Sequence, residues 1–431
     1  MKGMSKFQLV LTGVFGALIL IGVLVFAFAG RGSNNVVSNA VVWGTMSSSL
    51  FDNVMKGSGL SQDKTISVTY VEKNKETFDQ DFIEALAVGR GPDLFFLPQD
   101  SILKHQDKIF TIPFESYPER TFKDTFVQEG ELYLSSDGIL ALPFIIDPLV
   151  MYWNRDMFSN AGLSLTPRYW SELYDLTTRL TVKDTNFNIT KSAVALGEHA
   201  NISNANEILS LLIMQAGSRI TERDANGALS NLLNQRLNYP IPPAQTALNF
   251  FIEFSNPLKP FYSWNRSIPT SKSFFLSGDL ALYFGFASEL ADIRLKNPNL
   301  NFDVTSIPQS KSSNLNMTYG RMIGLAIPKN SKNIASAFKV ANSLTSATTI
   351  STLVNVLHLP PVRRDLLATR PAQTHMSLFY DAAIQARGWL SPEPANLNPI
   401  FKEMVESVTA GRSNSSEALV RASQQLDSIL K

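Results

Sequence analysis

Residues 140–173 read LALPFIIDPLVMYWNRDMFSNAGLSLTPRYWSEL, and the order of residue types in this stretch decides the fold class. Two apolar runs, 140–144 and 149–153, flank Asp147 and Pro148, and each has the length of a buried strand. The Asp-Pro pair reads as a turn between them. Thr166 offers an N-cap with Pro167 at the first helical position, and Trp170, Leu173, Tyr174 and Thr177 recur along one face. That spacing predicts a helix starting near Thr166.

The alternation of strand and helix continues upstream. Residues 40–43 form an apolar, β-branched run stopped by Gly44, and 66–71 read as a second strand. A helix over 47–56 is closed by Gly57 and Gly59. From Thr77 the residues Phe78, Phe82, Ala85 and Leu86 keep helical spacing until Gly89, and Pro92-Asp93 lead into a strand over 94–97. This order predicts a mostly parallel sheet covered by helices on both faces. Ligands of such sheets gather beyond the carboxyl ends of the strands, where Trp43 and the loop after Leu97 would lie. Downstream, helices are expected over 206–216 and 243–254, strands over 280–286 and 322–327, and an amphipathic helix over 416–430.

Residues 7–30 carry no charge and as a helix would reach about 36 Å, enough to cross a bilayer core of about 30 Å. Lys2 and Lys6 precede the segment and Arg31 follows it, which predicts a cytoplasmic N-terminus over 1–6, a membrane anchor over 7–30 and an extracytoplasmic body. The alternative is a signal peptide cleaved near Ala29, at the Ala27-x-Ala29 pattern, leaving the body secreted or periplasmic. Residues 31–39 read as a flexible spacer. The chain has no cysteine, which excludes a cysteine-linked lipid, disulfides and thiolate chemistry. Net charge is +1 and only 17% of residues are charged, so there is no electrostatic footprint for nucleic acid. The roughly 400 remaining residues exceed one ordinary core and predict two domains.

Taken in order, these segments resemble the bacterial extracellular solute-binding proteins of the sugar-binding family that serve ABC importers. ALAVGRGPDLFFL, at 85–97, resembles the family's helix ending in a G-x-x-P-D turn that enters a strand. The block at 140–173 resembles its Leu-Pro strand, Tyr-x-Asn-x-Asp turn, Ala-Gly-Leu and Pro-x-x-Trp-x-Glu-Leu helix start. Residues 275–284, the Ile307-Pro308 pair, YGRMIGLAIP at 319–328 and a helix over 331–344 extend the likeness. Where relatives often place tryptophan, this chain has Phe286, Ala287 and Ser288. The resemblance implies an α/β, two-lobed periplasmic-binding-protein-like fold of type II, with one lobe from 40–146 plus 317–357 and the other from 147–316 plus 358–431. The chain would cross between lobes near Asp147, Asn316 and His358. It further implies reversible capture of a small polar solute, a sugar or oligosaccharide, for ABC permease subunits, with no cofactor, no metal and no catalytic group.

A sugar needs carboxylates or amides for its hydroxyls and rings for its C–H faces. Trp43 at a strand end is the first candidate, with core packing as its alternative. Asp147 sits where sugar-binding relatives carry a ligand-contacting carboxylate, or else serves only its turn. Tyr152 and Trp153 point to opposite faces of a regular strand, and Tyr152 is preferred for the cleft. Trp264 and Asn265 combine a ring with an amide in a loop-like stretch. Tyr319, Gly320 and Arg321 combine a ring, close backbone approach and forked donors, although Arg321 alternatively pairs with a lobe carboxylate. Phe286 completes the ligand-binding set, Trp389 is a weaker candidate, and Asp93 is expected to order its own turn. The rival class is an exported, membrane-tethered enzyme acting on carbohydrate or cell wall. Its only motif, Ser101-x-x-Lys104, lacks the S-D-N and K-T-G partners, and the four histidines have no metal spacing.

Overall fold

The computed structural model describes residues 37–224, 227–311 and 315–430. The expected cytoplasmic segment, anchor and residues 31–36 of the spacer lie outside them. No described helix is long and apolar enough to cross a membrane.

Ten strands build the main sheet among the described residues: β1 Ser38–Gly44, β2 Ile66–Glu72, β3 Leu94–Pro98, β4 Leu142–Asn154, β5 Val182–Lys183, β6 Ile189–Val194, β7 Leu280–Phe286, β8 Phe302–Thr305, β9 Thr318–Ala326 and β10 Ala386–Arg387. Their order is β2-β1-β3-β9-β4-β7-β6-β5, with β8 also on β4 and β10 also on β9. Pairing is parallel for β2-β1-β3, β6-β7 and β9-β10, whereas β4 and β9 run antiparallel to each other and to β7 and β3 respectively. The sheet is therefore mixed rather than mostly parallel, because the strands shared by the two lobes run against their neighbours.

The largest departure from the sequence reading is β4. The two short runs expected on either side of an Asp-Pro turn are one 13-residue strand. Proline survives there because Pro148 sits where the strand changes partners: Gly320 of β9 faces Pro148, and Phe286 of β7 faces Leu149. The missing N–H is not needed at the switch, while the Pro148 carbonyl still accepts from Ala287 N at 3.0 Å. The first half of β4 thus belongs to one lobe and the second half to the other.

The next helix also begins later than expected, as a 3-10 turn at Trp170–Glu172 followed by the helix Leu173–Leu180. Residues 168–170 are held extended against Gln309, with Gln309 N donating to Arg168 O at 2.8 Å and Trp170 N to Gln309 O at 3.2 Å. Glu172, not Thr166, accepts from the Arg168 N–H at 2.8 Å. The spacer is shorter than expected as well, since Ser38 already lies in β1 and donates its N–H to Thr65 O.

Both faces of the sheet are covered. All seven residues of β7 are buried, as are Leu94–Leu97, which is why these strands are apolar throughout instead of alternating. In the first lobe, Ser48–Gly57 packs on Ala347–Leu357, and Ile334–Leu344 on β1. In the second, Ala205–Gln215 packs on Pro243–Glu253, and the helices Pro394–Thr409 and Ser415–Leu430 pack on each other and on Pro243–Glu253. The chain just after His358 stays with the first lobe: Val127 N donates to Val362 O, and Arg364 Nε donates to Phe126 O at 2.6 Å.

Candidate functional site

A cleft of about 1400 Å³ opens where the carboxyl ends of β1 and β3, the middle of β4 and the start of β9 face the N-terminus of the helix Ala205–Gln215 and residues 391–402. The loop after Leu97 reaches it as expected, through Gln99, Asp100 and Ser101.

The floor is set by strand register. Asp147 of β4 and Arg321 of β9 are direct cross-strand partners, so two residues 174 positions apart project side by side. Asp147 Oδ1 accepts the Ser288 N–H at 3.0 Å, and desolvation raises its carboxyl to about 6 despite that bond and the Arg321 charge. Arg321 crosses to the opposite lobe. Its Nε donates to Glu207 Oε1 at 3.2 Å, its Nη2 pairs with the same oxygen and reaches Asn204 Oδ1 at 3.4 Å, and its guanidinium lies 3.8 Å from the Phe286 ring centre. Asn204 holds a left-handed φ of 60°, which asparagine tolerates, and its amide also donates to Phe284 O and Glu289.

Gln99 is buried and fixes the end of β3 to β9: its Oε1 accepts from Met322 N at 3.0 Å and its Nε2 donates to Gly320 O at 2.8 Å. The same amide lies 3.5 Å from the Tyr319 hydroxyl. Asp100, beside it, has its carboxyl raised by desolvation and accepts from the Ser101 hydroxyl at 3.4 Å. Burial lowers the basicity of His199, whose Nε2 is 2.8 Å from Asn206 Oδ1. Phe78, Phe96 and Tyr319 supply the aromatic part of the wall.

Of the residues nominated from sequence, Asp147, Tyr319 and Arg321 line this cleft together. Phe286 stands behind it as the surface on which Arg321 rests. Trp43 is packed in the core with Lys73 Nζ 3.9 Å above its ring, and the cleft is reached instead by Thr45, Met46 and Ser47 beyond Gly44. Tyr152 is wholly buried and donates its hydroxyl to Phe286 O at 2.7 Å. Trp264 is buried with its indole N–H on Asn201 Oδ1 at 3.1 Å, and the Asn265 side chain organises its own turn through Ser267 and Tyr262. Tyr152, Trp264 and Asn265 do not line the cleft, and the polar atoms of each are bonded within the same lobe. Trp389 is likewise buried, its indole N–H on Ser210 Oγ. Asp93, expected to order its own turn, instead ties that turn to β1 and to the start of the helix Ile334–Leu344 by accepting from Val41 N and Ser331 Oγ.

Glu207, Gln99 and Asp100 had not been singled out. Their signal was positional: Glu207 lies in the first turn of the expected helix over 206–216, and the other two directly follow a buried strand. Lys104 of the S-x-x-K pattern is bound by Asp79 at 2.6 Å and Glu393 at 2.5 Å. Desolvation opposes its charge, but the two carboxylates raise its basicity overall, so it is a cation and not a base for Ser101. No cluster of histidine, aspartate and glutamate suited to a metal occurs among the described residues.

Two lobes sharing two strands, with a cleft between them lined by charged, amide and aromatic side chains, define the architecture of a solute-binding protein. The chain belongs to the bacterial extracellular solute-binding protein family, whose sequence profile matches residues 61–349. Membership implies a body outside the cytoplasm. A cyclo/maltodextrin-binding protein solved with maltotetraose is similar over 92% of this chain and 98% of its own, at a TM-score of 0.75 and 17% identity. A cyclic α-maltosyl-1,6-maltose binding protein from Arthrobacter globiformis is similar over 91% and 99%, at 0.74 and 14%. The GacH receptor of Streptomyces glaucescens, solved with acarbose, is similar over 91% and 98%, at 0.67 and 15%. None of the curated proteins matches the chain. The family and these structures are binding proteins, and at such identities the structures bear on the fold alone.

Proposed function

We propose that this protein captures a sugar or oligosaccharide between its lobes and delivers it to the permease subunits of an ABC importer, without catalysing a reaction. The observation that carries the reading is the cleft itself: about 1400 Å³, with Gln99, Asp100, Asp147 and the Arg321–Glu207 pair converging on its floor and rings in its wall. Such a lining suits hydroxyl groups that both donate and accept. Asp147, Tyr319 and Arg321 are the proposed ligand contacts from the original set, joined by Asp100 and Glu207. The lobes are proposed as 38–146 plus 317–367 and 147–316 plus the remaining C-terminal chain, the last crossing falling after Leu367 because the segment behind His358 pairs with Phe126 and Val127.

The uncharged segment 7–30 is proposed to hold the receptor beside its transporter, with the spacer setting a reach of roughly 25–30 Å when extended. A second reading, an exported carbohydrate-active enzyme, draws on the raised carboxyls of Asp100 and Asp147, because perturbed acids cluster at active sites. A thermal-shift screen against sugars, polyols and amino acids separates the two. Saturable stabilisation by a saccharide that is recovered unchanged supports the receptor, and hydrolysis of that saccharide supports the enzyme.

A further inference from the structure

We propose that the cleft accepts uncharged or amine-bearing saccharides and excludes carboxylated and phosphorylated ones, an inference that rests on the receptor reading above. The charges at the cleft carry it. Asp79, Asp100, Asp147, Glu207 and Glu393 line it, against Lys75, Arg321 and Lys402. All three cations are solvent-exposed, and Arg321 is the one whose strand position places it directly beside Asp147.

That cation is already committed. Two guanidinium nitrogens are turned onto Glu207, one also toward Asn204, and one planar face is covered by Phe286. Lys104, just outside the lining, is committed to Asp79 and Glu393. His199 is neutral near pH 7, because burial lowers its basicity below the ordinary imidazole value. In contrast, Asp100 and Asp147 make no ion pair among the described residues; Asp100 is met by the Ser101 hydroxyl and Asp147 by the Ser288 N–H. Beside Asp147 the floor therefore offers spare acceptors and a committed cation, and the uncommitted charges of Lys75 and Lys402 are outnumbered by the five carboxylates of the lining.

A hydroxyl or an ammonium meets such a floor with donors. A carboxylate or phosphate would bring acceptors and like charge into a partly desolvated space. At a separation of ~7 Å and an effective dielectric of ~20, one uncompensated like charge weakens binding by roughly 50-fold. The same geometry says how the exclusion is lifted. Glu207→Gln keeps the shape of the side chain and frees the fork of Arg321 for an anionic ligand.

The test uses the full chain in detergent, titrated calorimetrically with matched hexose oligomers in four forms: unsubstituted, 2-amino, uronic acid and 6-phosphate. The expected result is binding of the unsubstituted or 2-amino form, with the uronic and phosphate forms at least 50-fold weaker. Glu207→Gln should then tighten the uronic form by about tenfold. Binding of a uronic or phosphate form as tightly as its unsubstituted counterpart overturns the inference and leaves the receptor reading standing, as does a Glu207→Gln variant with no gain. Binding of no form overturns both.

Discussion

Glu129 shows how one side chain ties stability to pH. It is buried behind Gln99 and Gly320, and burial pushes it up to about 8, the Arg387 charge and the nearby Gln99 amide and Gly388 N–H opposing only in part. The folded protein then keeps a proton that the unfolded chain releases near its ordinary value of 4.5. The contribution is whole below pH 4.5 and is lost as pH rises toward 8, roughly 3–5 kcal/mol in all. Glu129→Gln should therefore flatten the fall in urea-unfolding stability between pH 5 and 9. A fall as steep as the wild type's would show that another group is responsible. At this scale the sequence was only partly legible. Asp147 and Arg321 stood out as charges beside apolar strands, yet their pairing depends on register between distant strands. Trp43 was nominated for its place at a strand end and Trp264 for its ring beside the Asn265 amide, but no local pattern says that a tryptophan is exposed. Packing decided it.

Elements that run through both lobes were the hardest to read. Asp-Pro reads as a turn in nearly any context, and only the change of partner at Pro148, from β9 to β7, explains why β4 continues. Conversely, elements contained in one lobe were legible from periodicity: β7 Leu280–Phe286 matches its expected bounds, and Pro243–Glu253 and Ser415–Leu430 match within one residue. Gly320 in β9 tests how tightly the shared strands are packed. A Cβ there would fall 2.9 Å from Ala386 Cβ of β10 and 3.3 Å from Glu129 Cδ, so the close approach expected of this glycine is made to side chains packed beneath the strand. Gly320→Ala should cost roughly 1–3 kcal/mol in urea unfolding. A cost below about 0.5 kcal/mol would mean that β10 yields freely.

At the scale of the whole molecule, the lobes are clasped across the cleft by contacts of their own. Lys104 Nζ, on the first lobe with Asp79, also reaches Glu393 at the head of the helix Pro394–Thr409, and Arg223 Nη2 donates to Gln106 Oε1 at 2.9 Å. Such partly exposed pairs contribute about 1 kcal/mol, which is roughly fivefold in an equilibrium between open and closed lobes. Lys104→Ala should raise the radius of gyration of the solute-free protein in small-angle scattering and weaken solute binding about fivefold. An unchanged radius together with unchanged affinity would remove the clasp from the account.

Capture of a saccharide on the floor formed by Asp147 and Arg321 is tested most directly by calorimetric titration of the full chain, in detergent, with a saccharide panel spanning neutral and amine-bearing oligomers. The expected result is saturable one-to-one binding that weakens at least tenfold in both Asp147→Ala and Arg321→Ala, with the variants still unfolding cooperatively. No binding by any member of the panel, or wild-type affinity in both variants, would contradict it.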